Sequence, residues 1–251
     1  MNSAGGIAIR DAVVLVTGAG GGIGRALVAV LLERGAAEVV ACDRQAPGFD
    51  DPRVTPLALD ITDEAAVAEA ARRHAGRVTI LINNAGVNAN PRLFSDRLLA
   101  EAHSEIAVNY LGTLAMMQHF APAMVARGGG QIANVVSFVG LVCGPGMAGY
   151  SASKAAAHMA TVAARAELAP LGVGVLGIYP QLVDTGMSRH LALPKLTTEA
   201  LAAMIVEAVE AGQDDLFPGP ATEAFATLRQ DPEGFQAMLI DRLGPARPQF
   251  K

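Results

Sequence analysis

The sequence predicts an α/β chain of 251 residues built as one doubly wound parallel sheet of seven strands with helices on both faces. Three observations predict it. Short apolar, β-branched runs alternate with stretches of helical periodicity, the pattern of a parallel sheet closed by right-handed crossovers. A glycine-rich turn joins the first strand to the first helix. Residues with chemistry to offer, Gly18, Asp43, Asp60, Asn84, Ser137 and Pro180, each fall just beyond a predicted strand, the edge where such sheets bind ligands.

Residues 12–17 open the sheet with the run AVVLV, and a helix over 22–34 follows with Leu27, Val30 and Leu31 at helical spacing. Between them Gly18, Gly22 and Gly24, with Ile23 inside the turn, permit a tight bend and close approach of backbone amides to a pyrophosphate. The helix N-terminus adds the positive end of its dipole. The next strand, 37–42, ends at Asp43, nineteen residues beyond Gly24. A carboxylate there accepts hydrogen bonds from the adenosine ribose hydroxyls and repels a 2′-phosphate, which favours NAD; Arg44 beside it keeps NADP as the alternative.

The remaining order is strand 54–59, helix 63–74, strand 78–82, helices over 97–127, strand 131–136, helix 149–169, strand 173–178, helix 198–211, strand 214–217 and a helical tail. No repeat, linker or low-complexity segment interrupts it, so one domain covers residues 1–251, with a cofactor half at about 8–135 and a catalytic and substrate half at about 136–251.

Tyr150 and Lys154 stand four residues apart on a predicted helix and therefore share a face, and Ser137 precedes the tyrosine by thirteen residues. A phenol normally ionises near pH 10; an ammonium beside it lowers that value and makes the phenolate a usable proton acceptor.

Taken in order, these motifs resemble the classical short-chain dehydrogenase/reductases, a family of Rossmann fold, over nearly the whole chain. The turn has that family's TGxxxGxG spacing, Asn83-Asn84-Ala85-Gly86 resembles its NNAG segment, and residues 180–185 resemble its PGxVxT segment. The resemblance implies that Asp60, with Ile61 after it, binds the adenine. It implies too that Asn84, Ala85 and Gly86 flank the cofactor, that Pro180, Val183 and Thr185 lie beside the nicotinamide, and that Lys154 grips its ribose. Asn109, Ser137, Tyr150 and Lys154 fill the family's catalytic tetrad, with Tyr150 as base, Ser137 holding the substrate oxygen and Asn109 supporting a water-mediated proton path. Gln181 departs from the pattern, where the family usually has glycine; it is either a tolerated variant in a turn or part of the substrate wall.

The implied activity is hydride transfer between NAD and a hydrophobic secondary alcohol or ketone. The alternatives are an NADPH-dependent carbonyl or 3-ketoacyl reductase and a non-enzymatic nucleotide-sensing protein, the latter disfavoured because the tetrad is complete. Ser137, Val139, Cys143, Tyr150, Gln181 and Met187 are the expected substrate contacts, in segments that are mainly apolar. Because the stretch between Thr185 and Thr197 is short, no bulky lid is expected.

A net charge of −5 with no basic run speaks against a nucleic-acid surface. Cys42 and Cys143 do not make a disulfide framework, and five histidines show no ligand spacing, so no metal site is expected. Residues 106–126 lack acidic and basic side chains, yet Asn109, Gln118, His119 and Pro122 within them favour a buried helix over a membrane span. Residues 1–11, with Arg10 and Asp11, do not read as a secretory leader, and a cytoplasmic protein is expected. The helices after Asn109 and Tyr150 are apolar around much of their circumference, which calls for cover by a second copy in a homodimer or homotetramer.

Overall fold

A computed structural model describes residues 5–89 and 93–244. Seven strands, β1 (Val13–Thr17), β2 (Glu38–Asp43), β3 (Val54–Ala58), β4 (Ile80–Asn83), β5 (Gly130–Val135), β6 (Val173–Ile178) and β7 (Asp215–Leu216), form one sheet in the order β3-β2-β1-β4-β5-β6-β7. All six pairings are parallel. The chain leaves β1 toward one edge and returns at β4 toward the other, so the two crossovers part beside the C-terminal end of β1 and open a crevice there. The central strands are buried on both faces and read as unbroken apolar runs for that reason. Pro56, which cannot donate a ladder hydrogen bond, sits in edge strand β3.

Helices α1 (Gly22–Glu33) and α6 (Thr198–Glu210) cover one face, through Leu27, Leu31, Leu201 and Ile205. On the other face lie α2 (Glu64–His74), α3 (Leu98–Ile106), α4 (Thr113–Arg127) and α5 (Ala148–Leu168); here Val67, Met116, Phe120 and Met124 are the buried contributions. The tail forms two further helices, α7 (Ala221–Gln230) and α8 (Pro232–Leu243), which close a small third core with Phe138.

The fold class agrees with the sequence reading, and local details differ. The helical region over 97–127 is broken by a π-helical stretch, Ala107–Gly112, that carries Asn109 at its middle. One extra residue in that turn sets Asn109 into the interior, where it is 1 % exposed. The uncharged stretch 106–126 lies within these elements, and among the described residues no helix is long and apolar enough to cross a membrane.

Candidate active site

The loops at the C-terminal ends of the strands enclose a cavity of about 1480 Å³. At the end beside the glycine turn, Thr17 and Asn84 lock the first turn to the loop after β4. The Thr17 Oγ1 accepts from the amides of Asn84 and Ala85, each at 3.0 Å, and Asn84 Nδ2 donates to the carbonyls of Thr17 and Gly18 at 2.9 and 3.1 Å. Gly18 has φ +65°, and a Cβ on it would stand 2.8 Å from the Cα of Ala85. A Cβ on Gly24 would fall onto the carbonyl of Gly18. Both positions require glycine for the turn to close this tightly.

Helix α1 starts from Gly21 with no side chain capping it, so its first amides are free for an anionic group. Asp43 ends β2 facing this turn: one carboxylate oxygen accepts from the Gly20 amide at 3.0 Å and the other from Arg44 N at 2.8 Å. Each oxygen keeps a further lone pair for a ribose hydroxyl. Asp60 accepts from the Thr62 amide and hydroxyl at 2.9 and 2.7 Å, and those bonds hold its carboxyl below the usual range, so it stays an acceptor. Open helix amides, two fixed carboxylates and a glycine bend suit a dinucleotide.

At the other end, Ser137, Tyr150 and Lys154 line the same cavity, together with Gly86, Pro180, Gln181, Val183, Thr185 and Met187. The Lys154 Nζ donates to the Val135 carbonyl at 2.9 Å and lies 5.8 Å from the centre of the Tyr150 ring. Burial lowers the Lys154 ammonium to about 8. Tyr150 is pushed up to about 12 by burial, against which the Ser137 hydroxyl acts, while the Glu105 carboxylate adds to the rise. Burial of the phenol is the larger effect here, and the Lys154 head group that shares its helix face is turned toward β5.

Asn109 does not line the cavity. Its Oδ1 accepts from Val87 N at 2.8 Å, and its Nδ2 donates to Val87 O and to the Ser153 hydroxyl, both at 2.9 Å. Gly86 sits between it and the lysine: a Cβ there would meet Asn109 Oδ1 at 3.2 Å and Lys154 Nζ at 3.4 Å. Asn109 thus reaches the site by holding the strand of chain beside it.

Cys143, expected among the substrate contacts, is a correction. Its side chain is exposed and is not part of the cavity wall, because the chain makes a 3₁₀ turn after Ser137 (Phe138–Gly140) that directs Val139 and Val142 inward and leaves Cys143 facing out. Gln181 does line the cavity, and it sits there without strain: among the described non-glycine residues only Asp11 has a positive φ.

Two features were missed by sequence reasoning. Glu105 is fully buried, with Oε1 accepting from Ala89 N at 2.8 Å and Oε2 unpartnered. The second is cover: helices α7 and α8 contribute Thr227, Phe235, Met238, Leu239 and Leu243 to the cavity wall, although the short segment after Thr185 suggested an open site. The apolar spacing 235, 238, 239, 243 was a legible sign of one buried helical face.

A family profile described as "short chain dehydrogenase" matches residues 12–195. An uncharacterized oxidoreductase of Staphylococcus aureus (strain MW2) is 34 % identical over 189 residues, 72 % of this chain and 81 % of that protein. Among solved structures, a short chain dehydrogenase from Burkholderia cenocepacia in complex with NADP is 41 % identical with a TM-score of 0.89, over 93 % of this chain and 99 % of that one. A 3-ketoacyl-(acyl-carrier-protein) reductase from Brucella melitensis complexed with NADH is 26 % identical with a TM-score of 0.74, over 82 % and 96 %.

Proposed function

The chain belongs to the short-chain dehydrogenase family, and from that premise we propose that it transfers a hydride between NAD and a hydrophobic secondary alcohol or ketone, with Tyr150 as general acid and base. The observation that carries this reading is that Ser137, Tyr150 and Lys154 share one cavity with the first glycine turn and Asp43. The α1 amides would hold the pyrophosphate, Asp43 the adenosine ribose, Asp60 and Ile61 the adenine, and Lys154 with residues 180–185 the nicotinamide end. The bound nicotinamide supplies the hydride acceptor or donor and, when oxidised, a positive charge.

The chain's own residues manage the proton. Ser137 orients the substrate oxygen, and Tyr150 takes the hydroxyl proton in oxidation or returns it in reduction. A phenol raised to about 12 needs positive charge nearby to work near neutrality. Lys154, buried behind it, keeps its own charge below about pH 8 and supplies part of that field. NAD preference rests on Asp43, and with it alcohol oxidation as the working direction. The second reading, an NADPH-dependent carbonyl or 3-ketoacyl reductase, is favoured by Arg44 in the cavity wall and by the NADP in the Burkholderia relative.

The test is a screen of hydrophobic secondary alcohols with NAD and NADP, read by absorbance of the reduced cofactor. Turnover with NAD, and a shift toward NADP in Asp43→Ala, supports the first reading; turnover with NADP alone in the wild type supports the second, and none with either removes both.

We also propose that the protein works as a homodimer or homotetramer in the cytoplasm. Helices α4 and α5 border a groove of about 930 Å³ lined by Leu114, Met117, Ala160 and Leu168, with Met159 65 % exposed beside it. A second copy would cover this face. Both cysteines are free, in keeping with a reducing compartment. Sedimentation as a monomer at micromolar concentration would remove the oligomer.

A further inference from the structure

Resting on the reading above, we propose that α8 is the specificity wall of the site: its apolar face receives an extended hydrocarbon portion of the substrate, so the enzyme selects alcohols or ketones that carry one. Helix α8 is a built element rather than a loose tail. Pro232 occupies its first turn, and the Asp231 carboxylate caps it by accepting from Gly234 N at 2.9 Å.

It is also fastened to the segment that carries the chemistry. The Phe235 ring lies 5.8 Å from that of Phe138, the residue after Ser137. Gln236 Nε2 donates to the Cys143 carbonyl at 2.7 Å. Leu239 and Leu243 close over Gly144, where a Cβ would collide with Leu243 and stand 3.6 Å from Leu239. Anything bound between Ser137, Tyr150 and this helix is therefore framed by α8 on its far side.

The chemistry of that wall is apolar. Phe235, Met238, Leu239 and Leu243 line the cavity together with Val139, Val142 and Met147. Met238 and Leu243 remain 44 % and 45 % exposed, a cost that a hydrocarbon ligand would remove. The charged members of the α7 and α8 wall, Glu223 and Arg242, are exposed and stand at its rim. A substrate with a long apolar group and its hydroxyl at Tyr150 matches this distribution; a small polyol does not.

The test uses the full-length protein and a homologous series of straight-chain methyl carbinols. In the wild type, kcat/KM should climb by about fourfold for each methylene that reaches α8. In Met238→Ala the ratio of the longest to the shortest member should fall, and in Met238→Trp, which fills the space, it should fall by about tenfold or more. Met238 is half-exposed, so neither change threatens the core. Fluorescence titration of reduced cofactor confirms that each variant still holds its nucleotide. Turnover with a length gradient that stays parallel in all three proteins overturns the role of α8 alone. No turnover of any member by the wild type with either cofactor overturns the reading of a hydrophobic secondary alcohol as substrate, and this inference with it.

Discussion

The carboxylate of Glu105 on α3 presses against Gly149 on α5, the residue immediately before Tyr150, and only a glycine at that position leaves room for it. One of its oxygens has no hydrogen-bond partner, and its negative charge opposes ionisation of the phenol. Glu105→Gln removes that charge with little change of shape. The acid limb of the pH profile for alcohol oxidation should move to lower pH by about one unit. A profile that stays in place would confine Glu105 to holding the Ala89 amide.

Tyr150→Phe keeps the ring and loses the proton. Turnover should drop by at least about a hundredfold, the usual scale of general acid-base catalysis, while reduced cofactor still binds. Steady-state rates and cofactor fluorescence measure the two separately. Near-normal turnover would be fatal to the proposed mechanism.

Lys154 links stability to pH. Its value falls from 10.5 in the unfolded chain to about 8 in the folded one, through burial. As pH drops through that interval the unfolded chain takes up a proton that the native protein does not, so the native state is weakened; as pH rises it recovers. Against Lys154→Met, wild type should therefore gain on the order of 3 kcal/mol between pH 8 and 10.5, most of what the difference between the two values carries. Isothermal denaturant titrations of both proteins at the two ends of the interval would measure it, and a constant difference would refute it.

The two thiols should separate cleanly. Cys42 is buried at the end of β2, and burial, with Asp43 beside it, pushes its thiol up to about 12, whereas Cys143 is exposed. A chromogenic disulfide reagent should titrate a single thiol in the native protein and both after denaturation. Two fast thiols in the native state would mean that the end of β2 opens readily.

Most of the cofactor end was legible in the chain. Glycine positions and the acid after β2 carry their meaning in local spacing, because each needs only a turn and one strand to place it. Cys143 was misjudged because the 3₁₀ turn just before it redirects a loop whose course its own residues do not announce. Glu105 was overlooked because its burial depends on the approach of α3 to α5, elements distant in sequence. The apolar face of α8 was visible as a period, but not the loop it would cover.

The order of strands and helices, the first glycine turn and the shared face of Tyr150 and Lys154 follow from sequence alone, since periodicity and short-range spacing determine secondary structure and which residues share a helix face, whereas Ser137 joins them through the family resemblance. Only the tertiary structure decided that Lys154 turns its ammonium to Val135, that Asn109 is spent on Val87 and Ser153, and that α8 closes over the site. Those outcomes depend on burial and on partners brought together from far along the chain, and no local pattern encodes which partner a buried polar group will find.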